Sequence, residues 1–228
     1  MNVETLFLGH GAASNGIISK KTIFNTLDAL KKYKPEEILV GIMWSGAHRS
    51  EMYTELFLDT EKREAGFNDK NPLAIVEDEN YYLLNPHWSD EQSVLYYKYF
   101  HNDIGSTIKT IEHILNTQWF LKSQGVNYFM TEYYVDVFNK DKLVPHKHPN
   151  NFISILEHPD VKYYYDLIDF NNWLPVEDCQ TWVKNKSGYD FPRKNDPHPG
   201  TLQHKEYTEK VIIPFLKGKN IWQQNEIK

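Results

Sequence analysis

The run Ile38-Leu39-Val40-Gly41-Ile42-Met43-Trp44 is apolar almost without a break and follows Pro35 closely. It reads as a strand buried on both faces, the setting of a parallel sheet covered by helices. Ahead of it, Ile23, Leu27 and Leu30 repeat on one side while Lys20, Lys21, Lys31 and Lys32 keep to the other, so a helix is expected from about Ser19 to Tyr33. Before that helix, Val3 to Leu8 form a short apolar strand that enters the small-residue loop Gly9-His10-Gly11-Ala12-Ala13-Ser14-Asn15-Gly16. Strand, loop, helix and buried strand make a βαβ unit with a right-handed crossover. Leu6–Leu8 and Ile38–Met43 are then expected to be neighbouring central strands.

Residues 51–86 show a weaker pattern, and Glu61-Lys62-Arg63-Glu64 and Asn68-Asp69-Lys70 look like solvated irregular surface. Ser89-Asp90-Glu91 is a cap signal for a helix reaching about His101. A second helix is expected from Ile104 to Lys122, with Ile108, Ile111, Ile114 and Leu115 as its buried stripe. Gly125 stops it, and Val126 to Thr131 read as the next strand. After Tyr134 the chain is rich in Pro, His and Asn and then in Tyr, from Val161 to Ile168. The last helix runs from about Leu202 to Leu216, with Tyr207, Val211, Ile212 and Phe215 inward and a kink at Pro214. No repeat or low-complexity linker divides residues 1–228, so one three-layer α/β/α domain with a mainly parallel sheet is expected.

Composition narrows the partners. With 25 Lys+Arg against 31 Asp+Glu, the chain lacks the basic excess of proteins that live on phosphate backbones, so nucleic acid is not expected. One cysteine, Cys179, allows no internal disulfide. No signal peptide is expected at Met1, and no window nears the ~18 apolar residues of a bilayer span. A soluble cytoplasmic protein is the expectation. Aromatics make up 14% of the chain, suiting a Tyr-rich core and surface or a sugar-facing one. Trp44, Trp88, Trp119, Trp173 and Trp182 offer stacking faces, with Trp44 better placed in the core.

Ligands of open α/β sheets sit beyond the carboxyl ends of the strands. Three segments should meet there: Gly9–Gly16, Trp44–Arg49, and Asn195-Asp196-Pro197-His198-Pro199-Gly200. In the last, a carboxylate two residues before an imidazole can fix the ring's tautomer and make it a general base, although Asp-Pro and Pro-Gly also form turns unaided.

The block Asp196-Pro197-His198-Pro199-Gly200, continuing to His204 and Val211-Ile212-Ile213-Pro214, resembles the C-terminal part of SGNH/GDSL-type hydrolases. It is closest to divergent members of the kind encoded by marine bacteriophages. The resemblance extends to Ala13-Ser14-Asn15-Gly16-Ile17-Ile18, Val40 to Gly46 with Arg49, Phe120-Leu121-Lys122 and Tyr128-Phe129-Met130-Thr131. It implies a flavodoxin-like fold, Asp196 as orienting carboxylate and His198 as base. Three motifs depart from the family. Gly9-His10-Gly11 stands where Gly-Asp-Ser is expected, which puts glycine at the nucleophile position. Ser45-Gly46-Ala47-His48 lacks the oxyanion asparagine, and the terminal Asp-x-x-His is shortened to Asp196-x-His198.

A nucleophile would then come from elsewhere. Ser14 lies among loop N–H groups, including that of Gly11, that can stabilise an oxyanion, with Asn15 adding a side-chain donor. Ser45 is the second candidate. Either serine also suits a cap or turn. Arg49 suits the anionic group of a ligand, or a salt bridge to Glu51 or Glu55. His146-Lys147-His148 sets two imidazoles on one side of an extended segment, but no zinc-type spacing accompanies them, so neither metal nor cofactor is expected. The first expectation is hydrolysis of an acyl or acetyl ester, on a small molecule or carbohydrate, through Ser14, His198 and Asp196. The alternative is a degenerate binding or virion-associated protein without turnover. For a phage-encoded chain the compartment would be the infected host's cytoplasm.

Overall fold

The structure is a computed structural model that describes residues 5–6, 13–53, 75–76, 81–134, 138–176, 178–191, 198–219 and 221. Its elements are helix α1 (Asn15–Leu30), strands β1 (Leu39–Trp44), β2 (Ser50–Tyr53), β3 (Ile75–Val76) and β4 (Tyr81–Leu84), and helices α2 (Glu91–Tyr99) and α3 (Asp103–Gln124). Strand β5 (Asn127–Glu132), the hairpin β6 (Leu143–His146) and β7 (His148–Ser154), and helices α4 (Pro159–Tyr165), α5 (Cys179–Lys186), α6 (Thr201–Tyr207) and α7 (Ile213–Gly218) follow. The molecule is mixed α/β. β1 and β5 pair in parallel, from Leu39 opposite Asn127 to Trp44 opposite Glu132. β2, β4 and β3 form an antiparallel sheet in that order.

The parallel pair carries apolar contacts on both faces, alternating as a pleated strand must. Ile42, Trp44, Tyr128 and Met130 join Ile111, Ile114, Leu115 and Leu121 of α3 in the larger core. Met43 and Phe129 point the other way, onto Leu174, Cys179, Trp182, Tyr207 and Val211. Two-sided burial therefore holds for the second half of β1. It fails at Gly41, which is exposed and faces the ring of Phe129, its cross-strand partner.

Helix α3 follows the sequence closely. Asn102 caps it by accepting the Gly105 N–H at 2.7 Å, and Gly125 ends it at φ 68°. That left-handed conformation suits a residue without Cβ. Helix α2 likewise starts after Asp90, which accepts the Ser93 N–H at 2.8 Å.

Other expectations need correction. Helix α1 begins at Asn15 rather than Ser19, so the end of the small-residue loop is already helical. Its buried residues are Asn15, Ile17, Ser19 and Thr26, whereas Leu27 is exposed. The helix packs on α3 through small and polar groups, as where Thr117 donates to Ser19 at 2.8 Å, so an apolar stripe misidentifies its inner face. Leu6 is exposed and outside any strand, and Phe7 and Leu8 lie outside the described residues. The partner that β1 does show is β5.

Strands β2, β3 and β4 lie within or at the edge of the stretch of weak pattern, while residues 54–74, which include both segments expected as irregular surface, lie outside the description. A hairpin stands in the Pro-, His- and Asn-rich stretch, with Lys147 at φ 63° in its tight turn. The tyrosine-rich segment is largely helix α4, and Asp178 caps α5 by accepting the Thr181 N–H at 2.9 Å. The final helix is interrupted by a π turn over Thr208–Ile212, directly before Pro214. Proline has no N–H to continue the ladder, which accounts for an irregular turn at this point. No helix among the described residues is long and apolar enough to cross a membrane.

Candidate functional site

Asn15 holds the site region together. Its amide donates to the Ser45 carbonyl at 2.9 Å and to Thr110 Oγ1 at 3.2 Å, and its carbonyl oxygen accepts the Ser45 N–H at 2.8 Å. The first residue of α1 thereby ties the turn after β1 to α3. Two of the expected loops do meet, through a buried side chain engaged as a clamp. Ser14, beside it, is wholly buried, and its hydroxyl accepts the Ile17 N–H at 3.4 Å as the cap of α1. Ser45 is also buried, at 5% exposure.

His198 lies on Tyr133, ring centroids 6.0 Å apart and planes 20° from parallel. The Tyr133 N–H bonds the Trp44 carbonyl at 2.9 Å, which sets Tyr133, and His198 against it, just past the carboxyl ends of β1 and β5. Asp196 and Gly11 lie outside the described residues.

The first turn of α1 borders a cleft of about 130 Å³. At ~30 Å³ per water, that is room for a ligand of a few heavy atoms. Asn15 and Gly16 line its base, and Ala47, Arg49, Ser50 and Glu51 form one wall. Asn102, Ser106, Lys109 and His113 line the opposite wall, and Tyr96 and Phe100 close the side. Those α3 residues recur at three- and four-residue intervals, so they form one stripe along the helix. Tyr96 donates to Ser50 Oγ at 3.2 Å; Tyr97 donates to the Leu84 carbonyl at 3.1 Å and also to that of His48, pinning the β1–β2 turn against α2 and β4. Burial pushes the Tyr97 hydroxyl well above its ordinary pKa, so it stays a donor at neutral pH.

Within the cleft, Glu51 and His113 face each other over Gly16. A methyl group on Gly16 would lie 1.9 Å from Glu51 Oε1 and 3.1 Å from His113 Nε2. Helix interiors favour alanine over glycine by about 1 kcal/mol, so the reason for glycine here is the space that these two side chains use. His113 Nε2 is buried and makes no hydrogen bond. Arg49, expected to hold an anion, does line this cleft. Glu51, Lys109 and His113 were missed as members of a site; the four-residue spacing of Lys109 and His113 on the polar side of α3 was the signal for the last two.

Burial lowers the His113 pKa, against the pull of Glu51 and with smaller effects from Lys109 and Glu112. His101 is lowered by burial as well, against Asp103, and its Nδ1 sits 3.0 Å from Ser106 Oγ. A histidine lowered in the folded state binds more protons when unfolded. Its contribution to stability is therefore complete above the unfolded pKa near 6.5 and is lost as pH falls toward the folded value. Urea unfolding should show stability declining below pH 6.5, with His113 contributing no more than ~1.4 kcal/mol per pH unit. His113→Gln should flatten the decline.

Among the described residues no group of three or more His, Cys, Asp or Glu is placed to hold a metal ion. His146 meets His158 edge to face, at 5.5 Å between centroids. Cys179 is fully buried, its thiol pushed up to about 12 by burial, so it packs as a small apolar residue.

No curated protein and no solved structure matches the chain. A family model does match, over residues 2–148, a span that holds every residue lining the cleft and ends before His198. The chain belongs to that family, a family of unknown function (DUF6071).

Proposed function

We propose that the chain binds a small anionic molecule in the cleft between α1, β2 and α3, and does not turn over an ester through Ser14. The observation that carries this is the pairing of Arg49 and Lys109 in one small polar cleft against the first turn of α1. A guanidinium offers bidentate hydrogen bonds to a carboxylate or phosphate, and an ammonium adds a second charge. Ser14, by contrast, is wholly buried and bonded as a helix cap.

A second proposal keeps the ester hydrolase, with His198 as base, Asp196 orienting it and Ser45 at the end of β1. It is favoured by the position of His198 over Tyr133 at the strand ends. Both proposals take the parallel pair as the centre of a three-layer, flavodoxin-like sandwich like that of SGNH/GDSL-type hydrolases. The apolar clusters on its two faces support that architecture.

A fluorophosphonate and a short-chain ester separate the two. The binding proposal expects no labelling of Ser14 or Ser45 and no turnover. It expects Ser14→Ala to lose about 1 kcal/mol of stability, the value of a cap, with anion binding unchanged. Ester turnover by the wild type that disappears in Ser14→Ala would overturn it. Turnover lost in Ser45→Ala and in His198→Ala would establish the second proposal.

A further inference from the structure

We propose that Ser106 is a nucleophile with His101 as its base, and that the cleft hydrolyses small esters whose alcohol part carries an anion. The inference rests on the anion-binding proposal and adds a reaction to it.

Thr26, Thr117, Ser123 and Thr208 return their hydroxyls to a carbonyl three or four residues back, as helical Ser and Thr commonly do. Ser106 instead meets His101, Oγ to Nδ1 at 3.0 Å. The other ring nitrogen, Nε2, lies 3.5 Å from Asp103 Oδ1, and Lys142 Nζ holds that same oxygen at 2.9 Å. A proton on Nε2 faces the carboxylate and leaves Nδ1 to accept from the Ser106 hydroxyl. Serine, imidazole and carboxylate thus stand in the order that makes a hydroxyl nucleophilic. The imidazole is also held against Tyr97, ring centroids 4.9 Å apart. Burial keeps it below its ordinary pKa, so it is free to take a proton at neutral pH.

Ser106 opens onto the cleft together with Asn102 and Lys109. Asn102 Oδ1 accepts the Gly105 N–H at 2.7 Å, which fixes its amide at the head of α3 as a donor for an oxyanion. Lys109 stands one turn further along, ~5–6 Å between Cβ atoms, a span that a two-carbon alcohol part bridges.

In the reaction, Ser106 Oγ bonds the ester carbonyl carbon and its proton passes to His101 Nδ1. The bond from that carbon to the alcohol oxygen breaks, and His101 returns the proton to the leaving oxygen. Water, activated by the same imidazole, then cleaves the acyl-serine. One ester and one water give one acid and one alcohol. A neutral short-chain ester presents nothing to Lys109 and is not a substrate.

Acetoxyacetate and its neutral analogue acetoxyacetamide test this on the full chain, with acetate release followed by proton nuclear magnetic resonance. The anion should show a kcat/KM at least tenfold above that of the amide, the effect of one charge-assisted hydrogen bond. Ser106→Ala should abolish release, and His101→Gln should lower kcat ~10²-fold or more, as loss of a general base does. Asp103→Asn should lower kcat and leave KM in place, which loss of a merely structural carboxylate would not do. Circular dichroism reports whether the variants fold; if Ser106→Ala does not, His101→Gln carries the same expectation. Release no faster than in buffer overturns the inference. The anion-binding proposal then stands if inorganic phosphate binds, and falls as well if it does not. Release that survives in folded Ser106→Ala, or that is lost in His198→Ala and kept in His101→Gln, overturns the assigned nucleophile and base. Equal rates for the anion and the amide overturn the anionic class.

Discussion

Asn15→Ala should lower the stability of the chain by about 3 kcal/mol or more, far beyond the usual cost of truncating one surface polar side chain. The substitution leaves the Ser45 N–H, the Ser45 carbonyl and the Thr110 hydroxyl without the partner that each now has. Ser45 and Thr110 are buried at 5% and 3% exposure, so solvent reaches the abandoned groups poorly. Each unsatisfied buried group costs roughly 1–3 kcal/mol, and water entering from the neighbouring cleft recovers part of the total. Asn15→Asp should not rescue the loss. It keeps an acceptor for the Ser45 N–H but turns a carboxylate oxygen toward the Ser45 carbonyl. Urea denaturation of the two variants, with the milder Ser14→Ala beside them, measures this directly. A loss in Asn15→Ala no larger than that in Ser14→Ala would mean that the clamp is dispensable.

The second large effect is at Trp44, which is fully buried at the end of β1 between the sheet and the larger core. Trp44→Ala removes the largest side chain in that core and should cost about 3–5 kcal/mol through lost burial and the cavity left behind. Trp44→Phe should behave very differently. The indole Nε1 is buried and has no hydrogen-bond partner, so its removal relieves a desolvated donor while the ring fills most of the space. A net change within ~1.5 kcal/mol is expected from thermal or urea melts. A Phe variant as unstable as the Ala variant would show that the indole nitrogen has an interaction of its own.

What the sequence revealed of this fold follows the strength of its local signals. Helix α3 combines a side-chain cap, a long apolar stripe and a C-terminal glycine, three independent signals that agree, and its ends fall within two residues of expectation. Helix α1 was harder to place because three of its four buried residues, Asn15, Ser19 and Thr26, are polar: the first two bond partners remote in sequence and Thr26 bonds the Thr22 carbonyl one turn back. Hydrophobic periodicity cannot register such a face. The hairpin of β6 and β7 was hidden for a similar reason, since Pro145, Asn150 and Asn151 break the alternation that announces a strand.

The site was legible only in part. Arg49 was identified from its place after the buried strand, and the meeting of the loops at Asn15 and Ser45 follows from the strand-end rule. Glu51, Lys109 and His113 could not be joined from sequence alone, because what brings them together is the docking of α1 across α3 and β2. The glycine at position 16 looked like a loop residue open to a ligand. Its meaning came from the two side chains that crowd it.

The central claim is that the functional centre lies over Gly16 and not at the strand ends beneath His198. Nuclear magnetic resonance of the chain labelled with nitrogen-15 in its histidines, titrated with inorganic phosphate and then with acetate, tests that claim most directly. The imidazole nitrogens of His113, assigned by their disappearance in His113→Gln, should shift progressively and saturate while those of His198 stay in place. A shift of His198 with His113 unmoved would contradict the claim and return the site to the carboxyl ends of β1 and β5.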